Sequence, residues 1–70
     1  MPELFIDRHH RFWAIYCRPD RRTTATHPVV YCNTHWRAVR HRTKLLQRPT
    51  RCWTCHAPFT SHTKGRRPPR

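Results

Sequence analysis

The chain has 70 residues, 36% of them apolar, with 15 Lys or Arg against 3 Asp or Glu and a net charge of +12. That length allows one domain, and a core this small nets only about 3–5 kcal/mol, so a covalent or metal staple is expected. No run approaches the ~18 apolar residues of a membrane-spanning helix, and the scarcity of carboxylates argues against general acid–base catalysis and hence against an enzyme.

Taken in chain order, residues 1–10 read as a short mixed lead-in. They lack the apolar core of a secretory signal, which predicts a reducing cytoplasmic setting with nucleoid or ribosome association. Residues 11–17 (Arg-Phe-Trp-Ala-Ile-Tyr-Cys) are rich in aromatic and β-branched types and predict a strand. Residues 18–28, with Pro19, Asp20, a Thr run and Pro28, predict an exposed basic loop. Val29 to Cys32 predict a second short strand, antiparallel to the first because the connection is too short for a helical crossover. Asn33 or Thr34 caps a helix over about 34–47, ended by Pro49. Trp36, Val39, Thr43 and Leu46 supply its inward stripe, and Arg37, Arg40, His41 and Lys44 a basic face. Residues 51–59 predict a knuckle, and residues 60–70, with no apolar side chain larger than proline, a flexible basic tail. The expected architecture is a small α+β zinc-stabilised domain over 1–59, built from a hairpin, one helix and one zinc knuckle, followed by a disordered tail over 60–70.

The staple is suggested by two pairs of metal-ligand residues, Cys32-x2-His35 and Cys52-x2-Cys55, with 16 residues between them. Soft thiolates and an imidazole at this spacing suit one tetrahedral Zn2+, and four protein ligands leave no open position for a substrate. Structural zinc contributes apparent energies of ~10–16 kcal/mol to folding, more than such a core. Cys17 reads as a small buried apolar residue, because hairpin pairing sets it on the order of 10 Å from Cys32. The alternative is that Cys17 displaces His35 in an all-thiolate site. Two further readings compete. Cys52-x2-Cys55-His56 also spells the c-type haem attachment signature, and four cysteines allow three disulfide pairings. Both require export, for which residues 1–10 carry no signal.

Charge is placed as unevenly as it is strong. Residues 1–20 hold three Arg against all three acids, so residues 21–70, with twelve Lys or Arg, carry the whole +12. Zinc with three thiolates and a neutral imidazole would change this by only −1 (+2 − 3). Such a field attracts polyanions, and thirteen of the fifteen cations are Arg, which suits bidentate phosphate contacts. Coding bias also favours Arg, but a solvated face normally mixes both signs. Arg37, Arg40, His41, Lys44, Arg48 and Arg51, with Arg66, Arg67 and Arg70 in the tail, are the candidate phosphate contacts. Trp53, between two ligands, and Phe5, Phe12 and Trp13 near the N-terminus are candidates for docking a protein partner.

The two ligand pairs resemble the broad group of treble-clef and zinc-ribbon small zinc fingers, over Cys32 to Phe59. Here the Cys-x2-His pair opens the helix and the knuckle follows it, the reverse of the usual treble-clef order. The group includes ribosomal proteins, transcription factors and small phage regulators. The ligand pairs and the one-sided charge together predict a zinc-stabilised nucleic-acid-binding regulator acting through its basic helix and tail on DNA or RNA, with neither a membrane nor a small-molecule substrate as partner. The alternative is an adaptor or inhibitor, of the phage-encoded kind, that docks on RNA polymerase or the ribosome.

Overall fold

Leu4, Phe5 and Ile6 form an apolar run between Glu3 and Asp7, and in the computed structural model, which describes residues 1–20, 22 and 26–67, this run is a strand. Strand β1 (Glu3–His9) pairs antiparallel with β2 (Phe12–Arg18) through a two-residue turn at His10 and Arg11. His10 takes the left-handed backbone (φ 53°) that such tight hairpins need at their first position. The expected lead-in is therefore an interior strand. Leu4 and Phe5, on opposite faces of the strand, are both buried, so it reads as a continuous apolar run and lacks the alternation of a half-buried strand. Phe5 is 3% exposed and stacks on Tyr16 at 5.3 Å, so it belongs to the core and not to a docking surface.

Strand β3 (His27–Cys32) lies antiparallel on the other side of β2, as the sequence predicts, with a bulge between Ile15 and Tyr16. Helix α1 (His35–Leu45) follows, its first turn capped by Thr34, whose hydroxyl accepts from the Arg37 amide. The helix crosses one sheet face, where Leu4, Ile15, Cys17, Val29, Ala38, Leu45, Cys52 and Phe59 form the core.

The predicted inward stripe is rotated. Ala38 and Leu45 are buried, whereas Trp36 is 64% exposed. A small side chain at 38 lets the helix axis approach the sheet, and the bulky indole is left outside. Arg42 is half-buried on the inward side, where its Nη1 donates to the Gly65 carbonyl at 3.4 Å.

The segment expected as a flexible tail is instead part of the fold over its first residues. Phe59–Ser61 form a 3-10 turn, and β4 (Thr63–Lys64) pairs parallel with β1, giving the order β3-β2-β1-β4. Residues 68–70 lie outside the described residues. Gly65, the only glycine of the chain, donates its amide to the Leu4 carbonyl at 2.8 Å. A Cβ there would stand 2.9 Å from the Glu3 Cβ, beneath the Glu3–Arg18 ion pair. Gly65→Val is expected to lower the stability of the metal-loaded protein by about 1–3 kcal/mol through overpacking. In a thermal melt that is a fall of about 4–8 °C per kcal/mol; an unchanged melt would show that β4 does not need the close approach.

Candidate metal centre and basic groove

Three elements deliver one cluster of ligands. Cys17 ends the run Trp13, Ile15, Cys17 along β2 and is fully buried. Cys52 and Cys55 come from a loop closed by an antiparallel bridge between Arg51 and Pro58. Within it the Cys52 amide donates to Ala57 O (2.8 Å), the His56 amide donates to Cys52 O (2.9 Å), and His56 turns the chain with φ 65°. His62 follows the 3-10 turn and is held just before β4 by the Thr63 amide donating to Pro2 O. Because Leu4 pairs with Cys17 on one side and with Lys64 on the other, the sheet brings Cys17 and His62 to the same end.

The ligand atoms of Cys17, Cys52, Cys55 and His62 all lie within 4.8 Å of one another. His62 Nε2 sits 3.6 Å from Cys17 Sγ and 3.3 Å from Cys55 Sγ. With metal–ligand distances of about 2.3 Å for sulfur and about 2.0 Å for nitrogen, the edge of a tetrahedron is ~3.5 Å, so the set fits one ion. His62 Nδ1 donates to the Pro58 carbonyl at 2.9 Å, which fixes the tautomer and turns the Nε2 lone pair toward the sulfurs. This is a Cys3His cluster that could hold a metal.

The thiols are tuned against each other. Burial pushes Cys17 up to about 12. Burial also raises Cys52, but the Thr54 hydroxyl (3.0 Å from its Sγ), the backbone amides of Cys55 and Thr54, and the Cys17 thiol outweigh it and hold Cys52 below its ordinary value. A cation bound among them would favour the thiolate form of its ligands.

Of the four expected zinc ligands, Cys52 and Cys55 are in this cluster and Cys32 and His35 are not. Cys32 pairs with Trp13 at the opposite end of the β2–β3 ladder from Cys17, and the His35 ring packs edge-on against Trp13 at 4.7 Å. Burial raises the Cys32 thiol, only partly opposed by Arg37. The Cys-x2-His spacing is a coincidence of strand end and helix start. Cys17 is a cluster member and not merely a small buried residue, because the knuckle packs against the end of β2 and not against the end of β3. His62 is not among the expected ligands because it lies in a polar segment. Its signal was its place seven residues after Cys55, behind Pro58 and Phe59, where an apolar anchor interrupts the polar run.

The predicted phosphate contacts separate into groups. Arg37, Arg40, His41 and Lys44 line one open groove together with Tyr31, Cys32, Asn33 and Trp36, with a volume of about 530 Å3. No carboxylate is among these residues. Burial, then Arg48 and Lys44, holds His41 below its ordinary value, so the groove's charge rests on Arg37, Arg40 and Lys44. Arg48, Arg51 and Arg66 are exposed outside that lining set, and Arg51 Nη1 donates to His56 O at 3.0 Å. Arg67 is ion-paired with Asp7 at 3.4 Å, and Arg70 lies outside the described residues.

Among the docking candidates, Phe12 is exposed, Trp13 half-buried, and Trp53 exposed with its edge on Phe59 at 5.5 Å. No helix among the described residues is long and apolar enough to cross a membrane. No protein-family model matches the chain, and no curated protein and no solved structure matches it.

Proposed function

We propose that this protein is a small zinc-stabilised, non-enzymatic module that binds nucleic acid in the cytoplasm through α1 and the groove beside it. Three thiolates and one imidazole in a tetrahedral set favour Zn2+ over harder cations. A site filled by four protein ligands is structural, so the metal shapes the fold and takes no part in a reaction. The observation that carries nucleic-acid binding is the groove itself. Arg37, Arg40 and Lys44 converge there beside two exposed aromatic rings with no acid among the lining residues. A chain of net charge +12 draws polyanions to such a groove over long range.

Binding of a labelled oligonucleotide, followed by fluorescence anisotropy across a salt series, tests this. The expected log K falls linearly with log salt, by about 0.7–0.9 for each phosphate neutralised. Arg37→Gln combined with Lys44→Gln should weaken binding and flatten that slope by about 1–2. A flat profile in the parent protein would refute the reading.

A second reading is an adaptor that docks on RNA polymerase or the ribosome and modulates transcription or translation. It draws on an apolar surface formed by His9, His10, Phe12 and Tyr31 at the hairpin tip. Phe12→Ser separates the two, since it would abolish docking on the machine and leave oligonucleotide binding intact.

A further inference from the structure

Trp36 is the largest side chain on the first turn of α1, and it is turned away from the core. An exposed indole beside a second exposed aromatic ring on a basic surface offers a platform for a partner with an aromatic face. The Arg40 guanidinium lies over the ring at 4.7 Å, yet the residue remains 64% exposed. Tyr31, at the end of β3, is 51% exposed and lines the same groove, as does the Asn33 amide, which offers both donors and an acceptor. The groove volume of about 530 Å3 falls within the ~300–1,000 Å3 of sites that hold a small molecule or one residue of a polymer.

Resting on the nucleic-acid reading above, we infer that the Tyr31–Trp36 groove takes an unpaired base, so that the ligand is single-stranded nucleic acid and not a duplex. In a duplex the bases are stacked on one another and present only their edges to a helix in the major groove, which gives an indole face nothing to stack on. An unpaired base offers its π-face to Trp36 or Tyr31 whatever its sequence. Its flanking phosphates are then met by Arg37 and Lys44, and the base edge by Asn33. Arg40, already parked on the indole, extends the platform as a planar cation.

The test compares zinc-loaded parent protein with Trp36→Ala and Trp36→Phe. Each is titrated into a short labelled single strand, made as RNA and as DNA, and into the same strand annealed to its complement. The single strand is expected to bind more tightly than the duplex. Trp36→Ala should lose roughly 5- to 150-fold on the single strand, the equivalent of one stacked base, with little change on the duplex. Trp36→Phe should keep most of the affinity. Unchanged zinc content in Trp36→Ala shows that the fold survives, as an exposed position allows.

Tighter duplex binding, or a Trp36→Ala loss equal on both ligands, overturns the inference while leaving nucleic-acid binding itself standing. So does the absence of any loss on either sugar form. Failure of the parent protein to bind any of the oligonucleotides at low salt overturns both readings and leaves an acidic protein surface as the partner for the groove.

Discussion

His62→Ala and Cys17→Ser are each expected to abolish stoichiometric metal binding and leave the chain largely unfolded, whereas Cys32→Ser and His35→Ala should retain one metal ion per chain. The two pairs of substitutions are chemically matched, so the contrast reads position and not residue type. Cys17 and His62 lie within 4.8 Å of Cys52 and Cys55, while Cys32 sits at the far end of the β2–β3 ladder. A structural zinc ion contributes ~10–16 kcal/mol to folding in small domains, and a core of this size nets only ~3–5 kcal/mol. Losing one ligand therefore removes more than the remaining contacts can replace. Metal content per chain, together with the sulfur-to-metal charge-transfer absorption of the cobalt-substituted protein, reads the outcome. Retention of metal by His62→Ala with loss in His35→Ala would sink the assignment.

Stripping the metal is expected to unfold the parent protein reversibly, and acid should do the same. Chelation should collapse the sheet signal in circular dichroism, and one equivalent of Zn2+ should restore it. The direction of the pH effect follows from the ligands. The bound state holds three thiolates and a neutral imidazole, and the unfolded chain binds protons at all three sulfurs at neutral pH. The unfolded state therefore carries more protons, and stability rises with pH. Each thiol must lose its proton to bind, and burial pushes Cys17 up to about 12, so metal affinity should rise with pH and be lost on acidification. A chain that keeps its fold in excess chelator would contradict a metal-held core.

The β2–β3 hairpin, α1 with its Thr34 cap and the Cys52–Cys55 knuckle were all legible from local patterns. The missing parts have a common physical cause, since each depends on what packs against it. Leu4, Phe5 and Ile6 are too short a run to declare a strand until β2 and β4 flank them. Thr63 and Lys64 have no strand signature at all and are ordered by the edge of β1. Trp36 outweighs Ala38 in any hydrophobic pattern, yet the helix is seated by the residue that lets it come close. Cys17 and Cys32 lie at opposite ends of the β2–β3 ladder, so only one of them can join Cys52 and Cys55, and spacing alone cannot say which end of a hairpin the knuckle meets.

The spread of the four ligands along the chain also orders assembly in time. His62 lies 10 residues after Cys52, with Cys55 between them, and Cys17 lies 35 residues before Cys52. Closing the longer loop carries an entropic penalty about 1 kcal/mol greater, since that penalty grows as the logarithm of length. An ion captured early is thus held by the three local ligands first, with the hairpin recruited last through Cys17. A metal bound in this order would act as a nucleus around which a weak core condenses, with β1 gaining its neighbour β4 in the same event that places His62.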